Sequence, residues 1–410
     1  MSASKDYWLP VLPAQWQRVP AWILFTEGTE RAHAADVHLT PSRKYGVIPQ
    51  AKYAELSGHR PISNDATAGN MKKVYPNDFV ISMGSFESGI EHSTIPGKVS
   101  NDYRVLRPTG YVEPKYFRWF LKSSPLIDAL DGLTGEIRVG QRIHYSQFSR
   151  LSLPIPDLPT QRRIADYLDR ETAQIDAMAG ALDGLVARLE ERRDALRDGV
   201  LRRVPITVQL QFVTQGIHTG PFGTQLGRGD YVNDGIPVIN PTHIVNASIL
   251  PDAKVSVSAS SADRLQAHRM RAGEIVMARR GDLGRCAVVD EKSSGFICGT
   301  GSILISPDAT KVDSRFAQVS LSSTDTVFQL EDASVGSTMS NLSESTLRHI
   351  RIPFPSLDEQ RRIVAHLDAE TAKIDAMIAK AGELRALLDE RRSALITATV
   401  TGQHPVPEEP

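Results

Sequence analysis

Apolar residues return at every seventh position through Leu168, Ile175, Leu182, Leu189 and Leu196, inside a stretch otherwise rich in charge. Such spacing predicts a long helix with a coiled-coil seam. The pattern comes back at Leu367, Ile374, Leu388 and Leu395, with Ala381 as the one small residue. Met178, Leu185, Met377 and Leu384 are expected to complete the two stripes. The recurrence is a duplication: residues 153–196 align without a gap on residues 352–395 at a constant interval of 199, with more than half of the pairs identical. Asp157 with Pro159 marks the first helix start, and the S-x-x-E box Ser356 to Glu359 marks the second. The preceding prolines, Pro154/Pro156 and Pro353/Pro355, cannot be helical and fix each boundary. About 40 helical residues span roughly 60 Å, longer than a small domain, so each helix should overhang its own head and act as a spacer. The alternative is that each helix packs only on its own head.

Between the helices the period changes to that of strands. Phe79 to Ser82 and Ile275 to Ala278 follow turn-like residues, and Tyr103 to Leu106 and Ser302 to Ile305 each precede a proline, Pro108 and Pro307. These prolines are again 199 apart, and a short amphipathic helix is expected after each, beginning near Val112 and Val312. The fold class expected is α+β: two β-rich heads alternating with two long helices, with internal pseudo-twofold symmetry. The divisions are head one at 1–152, spacer helix one at 153–203, head two at 204–351, spacer helix two at 352–403 and a flexible tail at 404–410.

At 410 residues, 41% hydrophobic and 23% charged, the chain has the composition of a two-domain globular protein. It has no apolar run of membrane-spanning length, and its N-terminus lacks the pattern of a signal peptide, so a cytoplasmic location without membrane association is expected. Cys286 and Cys298 lack metal-ligand spacing and read as buried thiols. The net charge of −1 does not advertise nucleic-acid binding, but residues 1–150 carry 18 Lys and Arg against 14 Asp and Glu, whereas residues 204–350 carry 12 against 14. If DNA is bound, the positive charge must be local or supplied in part by a partner.

Catalytic devices are scarce. Neither a P-loop, a dinucleotide fingerprint, an H-E-x-x-H motif nor a nucleophile elbow occurs, and the eleven histidines form no metal-like cluster by spacing. Asp252 with Asp290 to Lys292 satisfies a loose nuclease pattern of long spacing, which reads better as a turn and a charged loop; Asn240-Pro241-Thr242-His243 lacks the second proline and aromatic ring of an amino-methyltransferase motif. No catalytic residue and no metal ligand is therefore assigned.

What remains are polar, glycine-bearing loops at matched places. In head one these carry Arg43 and Lys44, then Ser85 and Phe86, then Arg138 and Arg142. In head two they carry Thr219, Phe222 and Thr224, then Arg279 and Arg280, then Ser337, Thr338 and Asn341. Arginine can grip a guanine edge with two hydrogen bonds, asparagine an adenine edge, and hydroxyls and glycine amides suit phosphates. Each loop alone could be a solvated turn, and Arg279 or Arg280 could pair with Asp282.

Two heads, each followed by a helix opening P-x-P-x-L-x-x-Q-R-R-I-x-x-x-L, at Pro154 to Leu168 and Pro353 to Leu367, resemble the specificity subunit of a Type I DNA restriction-modification enzyme. The stretches at 220–239, 278–289 and 85–93 are also family-like. The resemblance implies a non-catalytic DNA reader with two target recognition domains, each reading one half of a bipartite asymmetric site. It implies antiparallel helices that set the spacing and recruit two methyltransferase subunits for N6-adenine methylation and two restriction subunits. S-adenosylmethionine, ATP and Mg would sit on those partners, with no cofactor on this chain. The competing reading is a coiled-coil adaptor whose heads bind protein.

Overall fold

The computed structural model describes residues 8, 11–42, 44–59, 71–81, 90–134, 145–334 and 342–407. The chain divides into two units, Met1–Leu182 with Gly382–Pro410, and Asp183–Ala381, so the division cuts both long helices near their middles. Each unit thus holds one head and the adjoining halves of both helices.

In the first unit an antiparallel four-stranded sheet runs in the order Phe25–Glu27, Arg104–Pro108, Phe79–Ile81, Ile90–His92. Alternation along a strand sends neighbouring side chains to opposite faces. Phe79 and Ile81 accordingly enter a large core with Phe25, Phe117, Phe120 and Phe148, while Val80 enters a smaller one with Leu39, Val47 and Val74. The sheet is covered on both sides. Its first face is closed by the helix Pro114–Phe120, whose Phe117 meets Phe25 edge-on at a centroid separation of 5.2 Å. Strand Gln17–Pro20 pairs with Ser152–Ile155, so one of the proline-bearing boundaries is itself a strand in a two-stranded sheet, where every strand is an edge that tolerates proline.

The second unit repeats this plan. Thr214–Thr219, Ser302–Pro307, Ile275–Ala278 and Cys286–Val288 form an antiparallel sheet in the same order. Ile275, Met277, Ile303 and Ile305 face one core, and Val276, Ala287 and Leu304 face another. Thr207–Gln209 pairs with Arg351–Pro353, the counterpart of the strand pair in the first unit. The second head adds a further sheet, Tyr231–Val232, Ser256–Val257, Ile236–Ile239 and Ile297–Cys298, with its last pair parallel.

The long helices are Leu158–Leu201 and Leu357–Val400. Asp157 accepts a hydrogen bond from the Thr160 amide (3.0 Å), and Ser356 Oγ accepts one from the Glu359 amide (3.4 Å), which caps both starts. Within each unit the two helices run antiparallel. In the first, Arg392 bonds Asp176 (3.0 Å) and Tyr167 Oη meets His404 Nε2 (3.0 Å); in the second, Arg193 bonds Asp375 (3.1 Å). Leu168, Ile175, Leu189, Leu367 and Ile374 are buried, and Leu182, Leu196, Leu388 and Leu395 are half-buried.

The second positions of the stripes differ from expectation. Met178, Leu185, Met377 and Leu384 are exposed, and the covered positions lie four rather than three residues after each heptad residue: Thr172, Ala179 and Val186, then Thr371, Ile378 and Arg385. Small side chains at Thr172 and Ala179 permit close approach. Each threonine also returns its hydroxyl to its own helix, Thr172 to the Leu168 carbonyl (2.5 Å) and Thr371 to that of Leu367 (2.7 Å), so burial leaves no orphaned donor. No helix among the described residues is long and apolar enough to cross a membrane.

Candidate nucleic-acid interface

In the second head three strand ends converge. Strand Thr214–Thr219 ends at Gly220, strand Ser302–Pro307 begins after Gly299 and Gly301, and strand Ile275–Ala278 runs into Arg279 and Arg280. The glycines are there for space. A Cβ on Gly220 would lie 1.9 Å from the Gly299 carbonyl oxygen, and one on Gly299 would lie 2.3 Å from Asn240 Oδ1. Main-chain bonds lock this junction, Gly220 N to Ser302 O (3.0 Å) and Gly299 N to Ile239 O (2.9 Å), and the Ser302 hydroxyl donates to the same Ile239 carbonyl (2.9 Å). Thr219 is held on both sides. Glu344 Oε1 accepts from its amide (2.9 Å) and its hydroxyl (3.3 Å), and its carbonyl lies 3.0 Å from His268 Nδ1.

Upon this base Arg279 lies half-buried, with its guanidinium 4.6 Å over the Phe222 ring and its Nε donating to the Leu342 carbonyl (2.9 Å). Main-chain bonds from Arg279 N to Gly301 O and from Leu342 N to Arg279 O (2.9 and 2.8 Å) fix the backbone as well. Burial, with the neighbouring Arg280 charge second, holds the Arg279 guanidinium below the usual arginine range. Arg280 is exposed. Asp282 is committed to Arg285 through bonds of 3.0 and 2.7 Å, so neither Arg279 nor Arg280 is neutralised by it. Phe222 is half-exposed beside them.

In the first head Lys44 is exposed and its ammonium lies 5.2 Å over the Tyr45 ring. It borders a cleft of about 790 Å³ that also meets Glu91, His92, Arg118, Lys122 and Arg392. Glu91 is buried against Lys122 (2.6 Å), and burial raises its carboxyl above the ordinary range although Lys122 opposes the shift. His92 is pushed down to about 4, first by burial and then by Arg118 and Lys122. Arg118 and Arg392 flank Trp119 at 5.0 and 5.6 Å, so much of the positive charge here is engaged in holding the head to the helix. Arg43, Ser85, Phe86, Arg138, Arg142, Ser337, Thr338 and Asn341, and the side chain of Thr224, lie outside the described residues.

The loose nuclease pattern dissolves into turns. Asp252 accepts from the Lys254 amide (2.9 Å) and Asp290 from the Ser293 amide (2.8 Å). Among the described residues no group of three His, Cys, Asp or Glu side chains is placed to hold a metal ion. Cys286 and Cys298 are buried, which pushes both thiols up to about 12.

Two further side chains per unit escaped the reading of the sequence. Gln161 and Gln360, one interval of 199 apart, are both buried. Gln161 accepts from the Glu113 amide (2.8 Å) and donates to the Tyr111 and Pro156 carbonyls (3.1 and 2.9 Å). Gln360 does the same with the Asp313 amide and the Lys311 and Pro355 carbonyls (2.8, 3.1 and 2.9 Å). Asp169 receives Arg118 and Trp119 Nε1 (2.8 Å from the latter), and Asp368 receives Arg315 (2.9 Å). Their identity in both copies of the repeat was the available signal.

Residues 226–384 match the family model described as the Type I restriction modification DNA specificity domain. The chain is 29% identical over 131 residues to the Type I restriction enzyme StySPI specificity subunit of Salmonella potsdam, which covers 30% of this chain and 28% of that protein. It is 21% identical over 356 residues to the EcoBI specificity subunit of Escherichia coli, 80% of this chain and 74% of the relative. The fold is shared with a structure described as the basis of complex assembly and conformational transition of the type I R-M system, with a TM-score of 0.73, 17% identity, and coverage of 96% of this chain and all of the other. These matches support a Type I specificity subunit, the class named by the resemblance. The chain spans just over a quarter of the first relative and three quarters of the second.

Proposed function

We propose that the chain is the sequence-reading subunit of a Type I restriction-modification complex, acting on double-stranded DNA in the cytoplasm. Each head reads one half of a bipartite asymmetric target, and the reading itself makes and breaks no bond. The observation that carries this is the repeated plan. Two sheets of identical strand order stand on duplicated helices, while the loops at the strand ends differ between heads. Duplicated helices suit two copies of one partner, and divergent loops suit an asymmetric target.

The helices recruit two methyltransferase subunits, which carry S-adenosylmethionine and methylate adenine N6 after extruding the base. Two restriction subunits with ATP and Mg complete the assembly. Exposed apolar side chains on the helix segments of each unit, Met178 and Leu384 in the first and Leu185 and Met377 in the second, offer docking positions. DNA contacts are assigned to Lys44 and the loops containing Arg43, Ser85, Phe86, Arg138 and Arg142 in head one. In head two they fall to Thr219, Phe222, Thr224, Arg279, Arg280, Ser337, Thr338 and Asn341.

The test is duplex binding by the complex with its methyltransferase partner across a salt series, with sequencing of methylated adenines in a host carrying both genes. Affinity is expected to fall log-linearly with salt while a two-part motif persists. Salt-insensitive binding without sequence preference would favour the protein adaptor.

A further inference from the structure

Adjacent arginines at the strand end of head two are held in opposite ways, and on the reading of that head as a DNA reader the difference assigns them different work. Arg279 is braced on one face by the Phe222 ring at 4.6 Å and along its edge by the Leu342 carbonyl, which takes its Nε. That carbonyl belongs to main chain which is itself bonded back to Arg279. Among the described residues only Nε finds a hydrogen-bond partner, so toward them the two terminal nitrogens stay available as a fork of fixed direction. Arg280 is exposed and makes no hydrogen bond or ion pair with any described residue.

A guanidinium pays conformational entropy for each geometry it must hold, and a braced one has paid it before the ligand arrives. Two parallel donors held in this way match the O6 and N7 acceptors of guanine in the major groove, which demand one direction and one distance. A phosphate accepts from many directions and suits a mobile cation. The glycine junction beneath completes the case. Gly220, Gly299 and Asn240 interlock within 1.9 to 2.3 Å of where Cβ atoms would be, so the base on which the fork rests cannot yield without breaking main-chain bonds.

We infer that Arg279 reads a guanine in the half-site of head two, that Phe222 and the Leu342 carbonyl are the positioning groups that aim it, and that Arg280 contacts a phosphate. The inference rests on the proposed DNA-reading function and deepens it. It accounts for an aromatic ring left half-exposed on a polar surface: Phe222 contributes the face that aims Arg279. It also accounts for the burial of Arg279, since a guanine edge would return the hydrogen bonds that water loses there.

The experiment uses the full chain in complex with its methyltransferase partner. Competing duplexes carry each base in turn along the target, at two salt concentrations. Arg279→Lys is expected to lower discrimination at one G·C pair of one half-site by roughly 5- to 100-fold, with the salt slope unchanged. Arg280→Ala is expected to weaken all sequences alike and reduce that slope by about 1. Phe222→Leu should reproduce the loss at the same base pair, and Phe222→Trp should keep discrimination by restoring a ring face; this pair reads the aim without altering Arg279. Loss of discrimination at that pair in Arg280→Ala, or uniform weakening by Arg279→Lys with discrimination kept, would overturn the assignment. If the unaltered complex shows no sequence preference, the DNA-reading function itself fails; if it prefers one motif and Arg279→Lys keeps every preference, only the present inference does.

Discussion

The two heads fold the same sheet around different cores. In the first, six aromatic side chains, Phe25, Phe79, Tyr116, Phe117, Phe120 and Phe148, are packed into one cluster. In the second, the corresponding cluster holds one buried aromatic among the described residues, Phe316, with Ile217, Ile275, Met277, Ile303, Ile305 and Leu330, and Phe354 packs against it partly buried. Strand order and face alternation are the same. Strands apolar on both faces therefore go with this architecture in both heads, and which apolar residue stands at each position decides only how the space is filled.

Core truncation should probe this most strongly. Phe117→Ala is expected to destabilise the first unit by about 3–5 kcal/mol and Ile305→Ala the second by about 2–5 kcal/mol, read from chemical denaturation. Each loss should be confined to its own unit in hydrogen exchange; a loss spread equally over both would show that they do not unfold separately.

Next come the glutamines, where the heads ought to agree. Gln161→Ala and Gln360→Ala each strand one buried amide and two carbonyls, so each is expected to cost about 1–3 kcal/mol. Unequal losses would show that one junction can recruit water.

The outermost sheet strands should separate the heads by pH. Ile90–His92 carries a histidine whose folded pKa is about 4, below its unfolded value of 6.5, while Cys286–Val288 carries none. Between those values the unfolded chain binds more protons than the folded one, so stability contributed by neutral His92 is present above pH 6.5 and is lost as pH falls toward 4. His92→Gln should flatten that decline in the first unit, measured by melting at stepped pH, and a decline of unchanged slope would place the sensitivity elsewhere.

Smallest is the effect at the hairpins. The first head turns at Gly46 (φ 70°) between Leu39–Ser42 and Gly46–Pro49, whereas the second turns between Ile244–Val245 and Ser248–Ile249 through Asn246 and Ala247, both at positive φ (50° and 58°). Ala247→Gly relieves left-handed strain and should stabilise the second unit by up to about 1 kcal/mol in a melting comparison. No gain would mean that the glycine's extra freedom in the unfolded chain cancels it.

Much of the frame was legible before the structure. The period of seven marked both long helices, and the prolines at 108 and 307 marked the ends of the central strands, Arg104–Pro108 and Ser302–Pro307. The second stripe was misplaced because apolarity alone favours Met178 and Leu185 over Thr172 and Ala179, whereas a close helix pair wants the smaller residues inside. The extra sheet of head two was invisible because three of its strands are two residues long, too short for alternation to register. The candidate interface was legible as a set of residue types. That Phe222 would lie beneath Arg279 depends on how three loops meet in space, and no local pattern encodes that.

The buried glutamines at the helix starts carry a consequence for how such a molecule can change. Gln161 and Gln360 take hold of their heads solely through peptide groups, a carbonyl and an amide two residues apart: Tyr111 and Glu113 in one case, Lys311 and Asp313 in the other. A socket that recognises only the main chain is blind to side-chain identity. Apart from the side chains that meet the helix, such as Arg118, Trp119 and Arg315, a head can drift in its residues, and on the proposed function acquire a new vocabulary of bases, without loosening this part of the joint.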